Sequence, residues 1–159
     1  MGDPMEPAER LALTLTSGGM QRMTARVLCA LLFAEQETVT AGELADWLTI
    51  SPGTVSTAIK SLTSVGLIER VPAPGSRREH FRFRDGAWAI LMSSQNEMIK
   101  IMQEAADEGI DAVGEDSIAG HRLAEMRDFY TYLMAELPAV IDRWHASRDG
   151  QPPPGGSSR

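Results

Sequence analysis

Apolar positions repeat at helical spacing along most of this chain and alternate at strand spacing in one short stretch. Residues 6 to 17 predict a short amphipathic helix with Leu11, Leu13 and Leu15 as apolar members, stopped by Gly18-Gly19. A second helix is predicted at about 20 to 34. There Met23, Val27, Leu31 and Ala34 recur at helical spacing, and Cys29, Leu32 and Phe33 thicken the stripe enough to imply burial over much of the girth. Thr40 or Ala41 opens a short helix carrying Leu44, Ala45, Trp47 and Leu48, and Thr49-Ile50 makes a tight turn. Ser51 can cap the next helix with its side-chain oxygen, Pro52 suits the first helical position, and Gly66 stops it. Val55, Ile59 and Leu62 form its inward stripe, flanked by Ala58 and Val65. The opposite face presents Thr54, Ser56, Thr57, Lys60, Ser61 and Ser64. Small hydroxyl residues are mediocre helix formers, so helicity does not explain that face, and contact with another molecule does.

Two short helices joined by a tight turn, the second small and polar outside, fit a helix-turn-helix. A hairpin follows. LIERV at 67 to 71 reads as a strand, APGSRRE at 73 to 79 carries a Pro-Gly turn and two arginines, and HFRFR at 80 to 84 alternates strictly. Phe81 and Phe83 fall on one face of the second strand, expected inward. His80, Arg82 and Arg84 fall on the other, expected wet. This order of elements is the winged helix arrangement, a mainly α fold with a small β-hairpin wing.

Beyond the wing, Trp88, Leu91, Gln95, Met98, Met102, Ala105 and Gly109 step by three or four along a predicted helix at about 87 to 113. A break at Gly114 to Ser117 separates it from a heptad of Leu123, Met126, Tyr130, Leu133, Leu137, Val140 and Trp144. Pro138 lies inside that seam and is expected to kink it. One small winged helix cannot bury this apolar length, so a homodimer built from the first helix and the two C-terminal helices is expected, with two-fold symmetry. The tail from Gly150, GQPPPGGSSR, lacks apolar residues and is expected to be disordered. The organisation is therefore an N-terminal helix at 1–19, a winged helix-turn-helix at 20–86, dimerisation helices at 87–149 and a tail at 150–159.

Charge sharpens this picture. The chain of 159 residues has a net charge of −7, which alone argues against nucleic acid. Residues 51 to 84, however, carry six bases against two acids, and the surplus of acids sits in residues 85 to 159. An acidic total does not exclude a basic binding face. The acidic residues at 104 to 116 read as a solvated helix face and a polar turn. No run is long enough to span a membrane, and the N-terminus lacks a basic leader segment, so a cytoplasmic protein is expected. The lone Cys29 sits in an apolar run as a small hydrophobe, with redox sensing as its lesser alternative. His80, His121 and His145 are scattered with no cluster at metal-ligand spacing, and no phosphate loop appears. No enzyme, metal or cofactor is expected.

The stretch TAGELADWLTISPGTVSTAIKSLTSVGLIERVPAPGSRREHF resembles the winged helix-turn-helix core of the MarR superfamily of transcriptional regulators. The resemblance covers about residues 20 to 90, and PGSRREHFRF followed by a tryptophan-bearing helix is similar to the GbsR-like branch. It implies a ligand-responsive repressor. It also implies a homodimer with recognition helices in successive major grooves of an inverted-repeat operator, wings on the flanking minor grooves or phosphates, and an effector that alters dimer geometry.

The residues support a DNA face independently. Thr54, Ser56 and Thr57 are candidates for base or phosphate contact, with Gly53 permitting close approach, Lys60 reaching phosphate, and Ser51 and Ser61 completing the set. Arg77 and Arg78 suit a minor groove, with Glu79 expected to hold one of them. Trp47, Trp88, Met92, Met98, Met102, Phe129 and Tyr130 are the candidates for an effector pocket, expected where the dimerisation helices meet the core. The effector would be a small apolar compound or, from the branch resemblance, a quaternary ammonium. The rival reading is a winged-helix module that binds protein and never touches DNA.

Overall fold

The computed structural model describes residues 3–94 and 96–150. Gln95 and the tail from Gln151 onward lie outside the described residues. The chain forms two compact units that divide between Met92 and Ser93.

The first unit contains α1 (Met5–Ser17), α2 (Arg22–Leu32), β1 (Val39–Thr40), α3 (Ala41–Leu48), α4 (Pro52–Ser64), β2 (Ile68–Val71), β3 (His80–Phe83) and most of α5 (Ala87–Ser94). Side-chain caps place the helix starts. The Gln21 side-chain oxygen accepts the Thr24 N–H at 2.8 Å. Ahead of α3, Thr40 Oγ1 accepts the Glu43 N–H at 3.2 Å while Glu43 Oε2 accepts the Thr40 N–H at 2.7 Å, a reciprocal capping box. Ser51 caps α4 by accepting the Thr54 N–H at 3.2 Å, with Pro52 at the first helical position. Past α4, Gly66 adopts φ +79°, and an added methyl there would come 3.2 Å from Ile90 Cγ2, so both conformation and space require glycine.

The hairpin of β2 and β3 forms as expected, and β1 joins it to give an antiparallel sheet of order β1-β3-β2. Phe81 pairs with Val39 on one side and Arg70 on the other, and is buried. Around it α2, α3, α4 and the sheet close a core of Leu28, Leu44, Leu48, Val55, Leu62, Leu67 and Ile68. The small residues Ala8 and Ala12 of α1 meet Ala25 and Cys29 of α2. Burial, with a lesser contribution from Glu9, pushes the Cys29 thiol up to about 11, so the thiolate that oxidants attack is scarce at neutral pH. Arg26 holds Glu9 with bonds of 2.6 to 3.0 Å and donates to the Leu48 carbonyl at 3.1 Å, tying α1 and α2 to the end of α3.

The second unit is a hairpin of α6 (Asn96–Val113) and α7 (Ile118–Asp149). Its packed stripe on α6 differs from the expected one. Ile99, Ala106 and Ile110 are the buried positions, whereas Met98 is 64% exposed and Ala105 is also exposed. Met102 and Gly109 of the expected stripe are half-buried, and a methyl added at Gly109 would meet Leu123 of α7. Gln103 donates to Thr131 Oγ1 at 2.8 Å and Arg127 pairs with Asp107 at 3.0 Å along the same seam. α7 runs for 32 residues through Pro138. Leu123, Met126, Tyr130, Leu133 and Leu137 are half-buried, while Val140 and Trp144 stand exposed.

Candidate nucleic-acid interface

α4 turns Val55, Ala58, Ile59 and Leu62 into the core. Gly53, Ser56, Thr57, Lys60 and Ser64 therefore form the outermost row, every one exposed. The hydroxyls differ in what they already bond. Ser51 Oγ lies 2.8 Å from Thr54 Oγ1 and also caps the helix, and Thr57 Oγ1 donates to the Gly53 carbonyl at 3.0 Å. Ser56, Lys60 and Ser61 have no side-chain hydrogen bond among the described residues, so they are the groups with full capacity for a partner. Thr54, Thr57 and Ser61 line a depression of about 380 Å³ whose other wall is Gln21, Met23 and Thr24 at the start of α2. A largely polar seam thus continues from the outer face of α4 onto α2.

The wing turn is built on Pro74-Gly75, where Ser76 N–H bonds to the Ala73 carbonyl at 3.0 Å and Gly75 adopts φ +83°, the conformation a type II turn needs at that place. Arg77 and Arg78 are exposed at the tip and form no ion pair among the described residues. Glu79 does not hold either of them. It pairs with Arg70 at 3.0 Å, because the two lie near each other at the loop end of the hairpin. Arg82 is also neutralised, by Glu69 at 2.8 Å, its direct cross-strand partner in the register. The local positive charge is therefore carried by Lys60, Arg77, Arg78 and Arg84, the bases of this block without an ion pair among the described residues.

His80 is not a wet residue on a basic face, contrary to the strand alternation. It is half-buried, with Nδ1 3.0 Å from Thr38 Oγ1 and Nε2 3.1 Å from Ser76 Oγ. Thr38 lies 42 residues from His80, so no local pattern announces the contact. Arg78 lines a depression of about 490 Å³ together with Glu43, Asp46 and Glu79. The Thr40 N–H bond holds the Glu43 carboxyl below the usual carboxylate range, and the nearby His80 and Arg78 add smaller effects in the same direction. The Thr-x-x-Glu signal of this capping box was present in the sequence at Thr40 and Glu43.

The effector-pocket candidates divide between the units. In the first, Trp47 lines an apolar groove of about 380 Å³ with Met5, Ala30, Phe33 and Glu35. Trp88 instead packs on Phe83 at 5.5 Å between ring centroids, and Met92 is exposed. In the second, Phe129 and Tyr130 make an edge contact at 5.2 Å, Met102 is half-buried and Met98 is exposed. Among the described residues no cluster of histidine, cysteine or carboxylate side chains is placed to hold a metal, and no helix is long and apolar enough to cross a membrane.

Comparison with known proteins agrees with this architecture. Residues 18–79 match the model of the MarR family, and residues 86–147 match that of the MmpR5-like MarR family transcriptional regulators. The HTH-type transcriptional regulator MmpR5 of Mycobacterium tuberculosis is 33% identical over 153 residues, covering 94% of this chain and 90% of its own. A crystal structure of a transcriptional regulator, 32% identical, superposes with a TM-score of 0.78 over 91% of this chain and 99% of its own. The expected placement in the GbsR-like branch gains no support, since the region after the wing matches the MmpR5-like description. With a winged helix built from α2 to β3 and a relative aligned along nearly the whole chain, the protein belongs to the MarR family of DNA-binding transcriptional regulators.

Proposed function

We propose that the protein is a ligand-responsive repressor that binds an inverted-repeat operator as a homodimer. The observation that carries the DNA reading is the pairing of two features in one unit. The outer row of α4 offers Ser56, Thr57 and Lys60, and the wing tip offers Arg77 and Arg78 outside any ion pair among the described residues. Short hydroxyl side chains let a helix approach base edges, and guanidinium groups suit the negative potential of a narrow minor groove. Ser51, Gly53, Thr54 and Ser61 complete the DNA face, with Ser51 and Thr54 acting partly through the cap that orients the helix.

The dimer reading rests on the second unit. A helix of 32 residues is about 48 Å long, yet Gly120 is its one buried residue among those described. Ile118, Phe129, Tyr132 and Trp144 are each more than half exposed, an apolar excess that a partner helix covers. In the first unit, α1 also leaves Leu13 exposed, at 56%.

Footprinting on the protein's own promoter region is expected to show two protected half-sites about one helical turn apart. A single asymmetric half-site would count against the symmetric dimer. The groove at Trp47, with its aromatic walls and Glu35, supports an apolar or quaternary-ammonium effector. Release of the footprint by a lipophilic cation tests that part, and protection indifferent to such compounds removes it.

A further inference from the structure

We propose that Thr38, His80 and Ser76 form a hydrogen-bonded brace that aims the wing arginines, which makes these three positioning residues for DNA binding. The proposal rests on the wing reading above. The tip between β2 and β3 has little else to fix it: the Pro74-Gly75 turn closes with one backbone bond, and the Arg70–Glu79 pair is exposed on both sides, so it contributes little order. The brace starts from a firm point. Thr38 precedes Val39, which is fully buried and paired with Phe81.

The distances favour one assignment of protons. Ser76 Oγ accepts the Arg78 N–H at 3.2 Å, which leaves its own proton for His80 Nε2 at 3.1 Å. The alternative acceptor, the Arg78 carbonyl, lies at 3.5 Å, a weaker contact. With Nε2 accepting, Nδ1 carries the ring proton and donates to Thr38 Oγ1 at 3.0 Å. The backbone of Arg78 is thereby tied through Ser76 and His80 to the edge of β1. An arginine on a fixed backbone loses less freedom on binding than one on a swinging loop, and the difference appears as affinity.

A double-mutant cycle on the full-length protein tests this, with operator affinity measured by fluorescence anisotropy. Ser76→Ala is expected to weaken binding by about three- to tenfold, the worth of one hydrogen bond. The same change in a protein already carrying Arg77→Ala and Arg78→Ala is expected to have no further effect. Thr38→Val, nearly the same shape, repeats the pattern, and an unchanged thermal midpoint excludes a general loss of structure. Equal loss in both backgrounds, or no loss in the parent, overturns the brace while leaving the wing reading intact. If the arginine variant itself binds like the parent, the wing reading and the brace fall together.

Discussion

Replacing Arg77 and Arg78 together by alanine is expected to weaken operator binding on the order of a hundredfold at ~0.1 M salt. It should also lower the slope of log affinity against log salt by about three to four per dimer, since four neutralising contacts each release about 0.9 counterion. Both side chains are exposed and outside ion pairs among the described residues, so their charge is available to phosphate. Arg78 shares its depression with Glu43 and Asp46, which offsets part of its charge, so Arg77→Ala alone should account for the larger share. Folding stability should change by less than about 0.5 kcal/mol, as at other surface positions. Unchanged affinity and slope across several salt concentrations would remove the wing from the interface.

Gly120→Ala is expected to destabilise the second unit by about 3 kcal/mol or more. A methyl there would lie 2.1 Å from the Gly114 carbonyl oxygen and 2.9 Å from that of Glu115. Both are backbone atoms, held where Ser117 caps α7 and also donates to Gly114 O at 2.8 Å. The turn between α6 and α7 must open to admit the methyl. The gain in helix propensity from glycine to alanine, about 1 kcal/mol, is too small to compensate. Gly109→Ala is the informative control. Its methyl meets only the end of the Leu123 side chain, at 2.8 Å. That side chain can turn aside, and the propensity gain should roughly cancel the strain. Denaturant melts of the two variants should therefore differ widely. If the α6–α7 hairpin makes the dimer, Gly120→Ala should also sediment as a monomer at micromolar concentration. Equal melts for the two would mean that the turn does not pack as described.

These positions also show how far the sequence carries. Helix ends were readable wherever local chemistry sets them: Ser51-Pro52 and Gly66 bracket α4, and Gly114 to Ser117 separates α6 from α7. The inward stripe Val55, Ile59 and Leu62 was readable for the same reason. On α6 the buried positions include Ile99 and Ala106 where Met98 and Ala105 were expected, because each neighbouring pair is apolar and only the partner helix decides which member is covered. The strand Val39–Thr40 is too short to leave a periodic signal. At the wing, residue types pointed correctly to a basic tip, but ion-pair partners depend on register. Glu69 lies opposite Arg82 and Glu79 reaches Arg70, so two of the six bases of residues 51 to 84 are already paired within the protein. The pairing of His80 with Thr38 arises only from tertiary structure.

The most direct test of the central claim is the salt dependence of binding between the intact protein and a duplex carrying its operator, with stoichiometry read at saturation. Two chains per operator are expected, with an affinity that falls at least about a hundredfold between ~50 and ~200 mM salt. Binding to an unrelated duplex is expected to be weaker by about a thousandfold or more. An affinity indifferent to salt, or no retention on duplex DNA at low salt, would contradict it and leave the winged helix as a surface for protein partners.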